Sequence, residues 1–378
     1  MTRRRRPPSR STPVDVDEWD RVCLAGSVAG LDFVGSTSAT VWTATRGVLE
    51  SRRAEGLAGA MAFTYRSPAR SSDPTRILRN ATSLAVGARS YVQAVPDAPT
   101  GRVSARVARY ATADHYGRLR VGLDAVAGGL RELGFRAVVM TDDNSLVDRE
   151  AAWRAGIGWY GRNSLILAPG AGSYLVLGAV VTDAVLPSGR GPVTDGCGSC
   201  TRCVTACPTG AIVASGVVDA RRCLAWLLQA PGPFPLEFRE ALGDRIYGCD
   251  DCQEICPPNR ARESRTARGD GLVVENDPGS WIDVIELLAL DDVELLERCD
   301  RWYIPGRDVS IVRRNLLVVL GNSRTPSAPG VPETLARYLG HSDPLLAEHA
   351  SWAAHRLGLG DLVDVWRREG SAVNNGAP

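Results

Sequence analysis

The sequence predicts an α+β chain in three parts, and three observations predict it. Strand-like and helix-like runs alternate from about residue 17 to 183. Eight of the ten cysteines then crowd between Cys197 and Cys256, and the remainder is helical in pattern. At 378 residues and 44% hydrophobic, the chain can bury two or three cores. No apolar run approaches the length of a membrane span, and the opening has no secretory signal, so a cytoplasmic protein is expected.

Taken in order, residues 1–16 read as a disordered basic tail, because the four arginines and prolines of MTRRRRPPSRSTP bury no core. From 17 to 183, SLAVGARSYV and RAVVMT suit strands, and YGRLRVGLDAVAGGLRELG suits a helix. That helix carries Leu119, Leu123, Val126, Leu130 and Leu133 on one face, a core stripe. An amino-terminal α/β domain is expected. Residues 184–262 are loop-rich. Residues 263–365 follow a connector, RARESRTARGDGLVVENDPG, and become helical: SIVRRNLLVVLGN and PLLAEHASWAAHRLG each carry small and leucine-type residues on one face. Two such units look like HEAT-type repeats, which must stack to bury their faces. Residues 366–378 are expected to form a flexible tail.

The formal charge is only +1, so a nucleic-acid partner would have to meet a local patch. Every basic residue is arginine, which excludes lysine Schiff-base chemistry and favours forked contacts to phosphate or carboxylate. Arg313 and Arg314 are candidate phosphate contacts, with a solvated helix face as the alternative.

The cysteine spacing carries the chemistry. Cys197, Cys200, Cys203 and Cys207, followed by Pro208, match the two-cluster ferredoxin run, in which three thiolates wrap one [4Fe-4S] cube and the fourth reaches the other. The second run, Cys249, Cys252, Cys256 and Pro257, has Ile246 where a leading cysteine would stand, and Cys223 in DARRC can replace it. One cluster then takes Cys197, Cys200, Cys203 and Cys256, and the other takes Cys207, Cys223, Cys249 and Cys252. The module is ferredoxin-like. Paired CxxC also suits tetrahedral zinc, but zinc motifs seldom use CP endings or interleaved runs. Cys23 and Cys299 are left over and read as small buried hydrophobes.

The run VVMTDDNSLVDREAAWRAGIGWYGRNSLIL delivers Asp142 and Asp143 to the end of a buried strand, where ligands meet an α/β sheet. For Asp142, helix capping and catalysis are both open. Gly156, Gly158 and Gly161 surround Trp159, so backbone can approach a large flat ligand with the indole against it. Their GxGxxG spacing follows a helix-like segment and lacks the downstream acid, which argues against a dinucleotide site.

DDNSLVDREAAWRAGIGWYGRNSLIL, GCGSCTRCVTACPTGAI, DARRC and RIYGCDDCQEICPPN, followed by HEAT-like helices, together resemble the epoxyqueuosine reductases from about residue 20 to 360. The resemblance implies a corrinoid-binding amino-terminal domain and a cobalamin-dependent reduction of epoxyqueuosine to queuosine at the wobble position of tRNA. The two [4Fe-4S] clusters would carry electrons from a flavodoxin- or ferredoxin-type donor and reduce the cobalamin to its cob(I) state. Asp142 would be the general acid, with a pKa raised by desolvation. Asp142, Gly158, Trp159, Arg162 and Asn163 would meet the corrinoid, in a protein expected to be monomeric. The chain departs from the family pattern at Ser71, at His115–Gly117, at Asp143–Ser145, at Arg162 and at Ala225–Ala230. Those departures leave open a corrinoid and iron–sulfur reductase of small molecules, and a two-cluster electron carrier is the third reading.

Overall fold

The computed structural model describes residues 13–93, 95–267 and 279–374. Most of the basic tail, part of the connector and residues 375–378 lie outside the described residues. The strands are β1 (Phe33–Ser38), β2 (Ser83–Ser90), β3 (Ser104–Val107), β4 (Ala137–Thr141), β5 (Trp159–Tyr160), β6 (Ile166–Leu167), β7 (Leu175–Thr182), β8 (Ile212–Ala214), β9 (Val217–Val218), β10 (Arg245–Tyr247) and β11 (Trp281–Asp283).

The amino-terminal sheet has the order β1-β2-β7-β4, and every neighbouring pair is antiparallel. This corrects the expected α/β domain to α+β: no parallel crossover places Asp142, which instead follows an antiparallel edge strand. Side chains alternate with period two, so both faces are covered. Leu84, Val86 and Ala88 of β2 join Ala179 and Val181 of β7 beneath Trp42, Leu146 and Ala151. Ala85, Val176 and Val180 face the other way, toward helices Val16–Val28 and His115–Glu132. The leucine stripe lies there, with Leu119, Leu123, Val126 and Leu130 fully buried and Leu133 partly so. Gly87 pairs with Gly178 at the sheet centre, and a Cβ on either would stand within 2.8 Å of Leu123, which needs that floor bare.

A second sheet, β10-β3-β11, pairs β3 parallel to β10 and antiparallel to β11. It ties all three parts of the chain together, and one core runs from Val103 and Val107 through Leu224, Phe234 and Ile246 to Leu316 and Val363. Helix Val309–Asn322 is the axis of the carboxy-terminal end and packs against Pro344–Arg356, which also meets Val331–Leu339. Ile311 through Gly321 are all buried, so this helix is enclosed on every side and not apolar along one face. Two further spans differ from expectation. Residues Pro257–Ala267 continue as helix into the connector, and Gly360–Asn374 is helical where a tail was expected, anchored by the fully buried Val363. No helix among the described residues is long and apolar enough to cross a membrane.

Candidate functional site

The eight clustered cysteines sit at the ends of short helices and turns. Cys203 lies in helix Arg202–Ala206, which ends at Cys207 before Pro208. Cys223 heads helix Leu224–Leu227, and Cys252 lies in helix Asp251–Glu254. Their charges reach one another in two groups. Cys256 feels Cys197, Cys203 and Cys200; Cys252 feels Cys249 and Cys223, and Cys223 in turn feels Cys207. Each group has four members, Cys197, Cys200, Cys203 and Cys256 in one and Cys207, Cys223, Cys249 and Cys252 in the other. Among the described residues no three His, Cys, Asp or Glu side chains converge as one metal ion requires. A cube, with a separate iron for each thiolate, does not ask them to.

Backbone donors already point at the sulfurs. The Ala211 amide donates to Cys207 Sγ at 3.2 Å, and the amides of Ala225 and Trp226 donate to Cys223. Such hydrogen bonds favour thiolate and tune cluster potential. Burial pushes the Cys249 thiol up to about 12 and the Cys256 thiol to about 11. The two groups differ in depth. Gly198, Ser199, Thr201 and Arg202 around the first are exposed, whereas Gly248, Asp250 and Gln253 around the second are buried.

Asp142 follows β4 directly, with a left-handed φ of 48°, a conformation that costs a non-glycine residue on the order of 1 kcal/mol. Capping does not explain it. The next helix, Asp148–Arg154, begins after Val147, whose side chain caps nothing. The loop is held from other directions: Ser71 Oγ donates to the Asn144 carbonyl at 2.5 Å, the Val147 amide donates to the Ser71 carbonyl, and the Ser145 amide donates to Asp143 Oδ1 at 2.7 Å. The Asp142 side chain is left exposed. Its carboxyl is nevertheless raised above the ordinary range, first by desolvation from surrounding protein and then by the charge of Asp143. Tyr116 and Tyr247 both feel Asp142, and both are raised chiefly by burial. Arg149 acts on Tyr116, Asp148 and Cys223 alike, which sets the acid loop on the side of the deeper cysteine group.

The residues expected to meet a corrinoid are fixed by contacts within the chain. A Cβ on Gly158 would stand 2.2 Å from the Leu167 carbonyl, so that glycine serves the β5–β6 hairpin. Trp159 is buried against Gly196, where a Cβ would meet its ring at 2.6 Å. Arg162 Nη2 donates to the Gly198 carbonyl at 2.6 Å, between Cys197 and Cys200, while Asn163 Nδ2 reaches the Cys252 carbonyl at 3.4 Å and also donates to its thiol. A two-residue turn therefore touches both cysteine groups. Trp159 Nε1 and Arg162 Nε remain buried without an acceptor.

Residues 196–259 match the family model of a 4Fe-4S double cluster binding domain. Across the wider chain, the epoxyqueuosine reductase of Vibrio cholerae is 39% identical over 66% of this chain and 67% of the relative. That of Bacillus subtilis is 32% identical over 87% and 85%. The chain belongs to the epoxyqueuosine reductase family. A crystal structure of an epoxyqueuosine reductase with an epoxyqueuosine-modified tRNA-Tyr stem loop superposes with a TM-score of 0.80 at 28% identity, covering 90% of each chain.

For a member of the epoxyqueuosine reductase family, a basic face toward RNA is a natural expectation, but Arg313 and Arg314 do not provide it. Both are buried, at 6% and 0% exposure. Arg313 pairs with Asp292 at 2.7 Å and donates to Tyr338 Oη; Arg314 donates to the carbonyls of Leu227, Ala230 and Gly232. The reason is the enclosure of helix Val309–Asn322: a guanidinium there finds carbonyls before it finds solvent. Arg314 thus holds the segment from Leu227 to Gly232. Sequence reasoning missed Tyr116, Tyr247 and Asp148, of which only Asp148 stood within six residues of Asp142. An acidic residue at a helix start ordinarily signals no more than a favourable end charge.

Proposed function

We propose that this chain reduces the epoxide of epoxyqueuosine, at the wobble position of tRNA, to the cyclopentene of queuosine. The observation that carries the reading is the likeness along nearly the full chain to a reductase solved with an epoxyqueuosine-modified stem loop. The chemistry of the site supports it. The cysteine sets would hold the two clusters, Cys197, Cys200, Cys203 and Cys256 around one and Cys207, Cys223, Cys249 and Cys252 around the other. Electrons from a small flavodoxin- or ferredoxin-type carrier enter at the shallower set and leave from the deeper one, beside the acid loop.

The two buried donors without acceptors, Trp159 Nε1 and Arg162 Nε, fit a ligand with carbonyl-bearing side chains such as the peripheral amides of a corrin. With Gly158, Asn163 and Asp142 they are the residues that would hold cobalamin. Bound there, cobalamin supplies a strong low-potential nucleophile for the epoxide carbon. The protein does the rest. Asp142, its carboxyl raised and its side chain open to the ligand space, is the group placed to give a proton to the oxygen that leaves carbon. Tyr116 and Tyr247, also raised, stay neutral beside it and can donate hydrogen bonds without adding charge. The carboxy-terminal helices read as HEAT-type repeats that support this assembly in a cytoplasmic monomer.

The test is anaerobic reconstitution with iron, sulfide and cobalamin, followed by nucleoside analysis of epoxyqueuosine-containing tRNA. Wild type should convert it. Asp142→Asn should keep cluster and corrinoid absorbance and lose turnover by about 10² to 10⁴, the worth of a general acid. Full cofactor occupancy with no conversion by wild type would remove the substrate assignment.

A further inference from the structure

The epoxide reduction proposed above balances only with two protons. Both carbon–oxygen bonds break, a carbon–carbon double bond forms, two electrons arrive from the one-electron carrier through the clusters, and the oxygen departs as water after taking two protons. Asp142 can give one. The site must then find a second for the same oxygen while sheltered beneath its substrate.

Asp148 begins helix Asp148–Arg154, six residues beyond Asp142. Its Oδ1 is sealed from solvent and accepts no hydrogen bond. The groups whose charges face it are Asp142 and Asp143 from the loop after β4, Arg149 from its own helix, and Tyr116 from helix His115–Glu132. Arg149 is the cation of that group, and its Nη1 donates elsewhere, to the Ser164 carbonyl at 3.1 Å. An ionised carboxylate would seek donors at each oxygen, and this one has an oxygen with none. Burial, followed by the charge of Asp142, holds Asp148 well above the ordinary carboxyl range. Two carboxyls in such a space do not ionise together readily, so the pair retains protons that separate aspartates would have lost.

We propose that Asp148 stores the second proton of the reaction and returns it to Asp142 after Asp142 has protonated the opened oxygen. The proposal rests on the epoxide-reducing reading of the site. Asp148 acts through Asp142, so its test includes readouts that a merely structural residue would not move.

In cofactor-free protein, infrared titration of the protonated carboxyl stretch should show a carboxyl that keeps its proton above the ordinary aspartate range. Asp148→Asn should remove that band, and Asp142→Asn should shift its titration to lower pH by removing the neighbouring charge. In reconstituted enzyme, the single-turnover rate on epoxyqueuosine tRNA should fall as pH rises, because both carboxyls are needed in their acid forms. The logarithmic slope should approach two for wild type and one for Asp148→Asn. Asp148→Asn should also be slower by roughly tenfold or more, toward the lower end of a general acid's worth, with Asp148→Glu restoring rate and slope.

A wild type without the high-titrating band, or an Asp148→Asn enzyme with wild-type rate and slope, overturns the proposal and leaves the substrate assignment standing. A fully loaded wild type that converts no epoxyqueuosine overturns both. Unchanged cluster absorbance in the Asn and Glu variants separates these outcomes from misfolding.

Discussion

Replacing Arg314 by alanine separates a structural arginine from an RNA-binding one. Its guanidinium donates to the carbonyls of Ala230 at 2.7 Å, Gly232 at 2.5 Å and Leu227 at 2.9 Å, and lies 5.6 Å over the Phe234 ring. Its own pKa is pulled down to about 10, first by desolvation and then by Arg239. Four orphaned acceptors, these three carbonyls and Asn315 Oδ1, at about 1 to 2 kcal/mol each give a gross cost of about 4 to 8 kcal/mol. Release of a buried cation that no described carboxylate contacts directly returns part of this, leaving a net loss of about 2 to 3 kcal/mol. Ordinary domain stabilities of about 5 to 15 kcal/mol absorb that loss, so the variant should fold. Urea denaturation should show the lowered midpoint. Binding of tRNA as a function of salt should keep the wild-type slope, since losing one phosphate contact would reduce it by about 0.7 to 0.9. An unchanged urea midpoint with a reduced salt slope would refute the burial argument and return Arg314 to the RNA interface.

Cys223→Ala should halve the iron and sulfide bound per chain and leave one cluster visible by electron paramagnetic resonance; full iron content would break the assignment of Cys223 to the deeper set. His349 offers a pH test of stability. Its Nε2 accepts the Phe234 amide at 3.1 Å and its Nδ1 lies 2.7 Å from the Leu345 carbonyl, a pattern that suits the neutral ring. Burial lowers its pKa from 6.5 to about 4. The unfolded chain therefore binds the extra proton first, so this contribution is intact above pH 6.5 and declines as pH falls toward 4. The decline is about 1.4 kcal/mol per pH unit. Wild type should lose about 2 kcal/mol between pH 6.5 and 5 relative to His349→Gln, measured by urea midpoints; parallel behaviour of the two proteins would contradict it.

The cluster module was legible because its constraint is local. A cube accepts thiolates at fixed short spacings, and the spacing around Cys197 and Cys249 writes that constraint directly into the chain. The stripe from Leu119 to Leu130 was legible for the same reason, one helix and one face. Strand direction was not, because β2 and β7 are related by pairing between residues some ninety positions apart, and RAVVMT reads alike in either sheet. Nor was the burial of Arg313 and Arg314, which is decided by segments arriving from residues 227–232, 292 and 338. The close approach that the glycines around Trp159 signalled is made in part by the chain's own hairpin and cluster loop.

The placement of β3 between β10 and β11 bears on how the protein is made. On the ribosome, residues 104–107 are synthesised long before either neighbour exists, and the second sheet cannot close until residue 283 has emerged. By then all eight clustered cysteines are already outside, attached to a chain still free to open. A stalled or truncated chain ending before Trp281 keeps the β3–β10 pair but lacks the strand that closes the other edge of β3, so its eight thiols ride on a looser chain, more open to oxidation than in the finished fold.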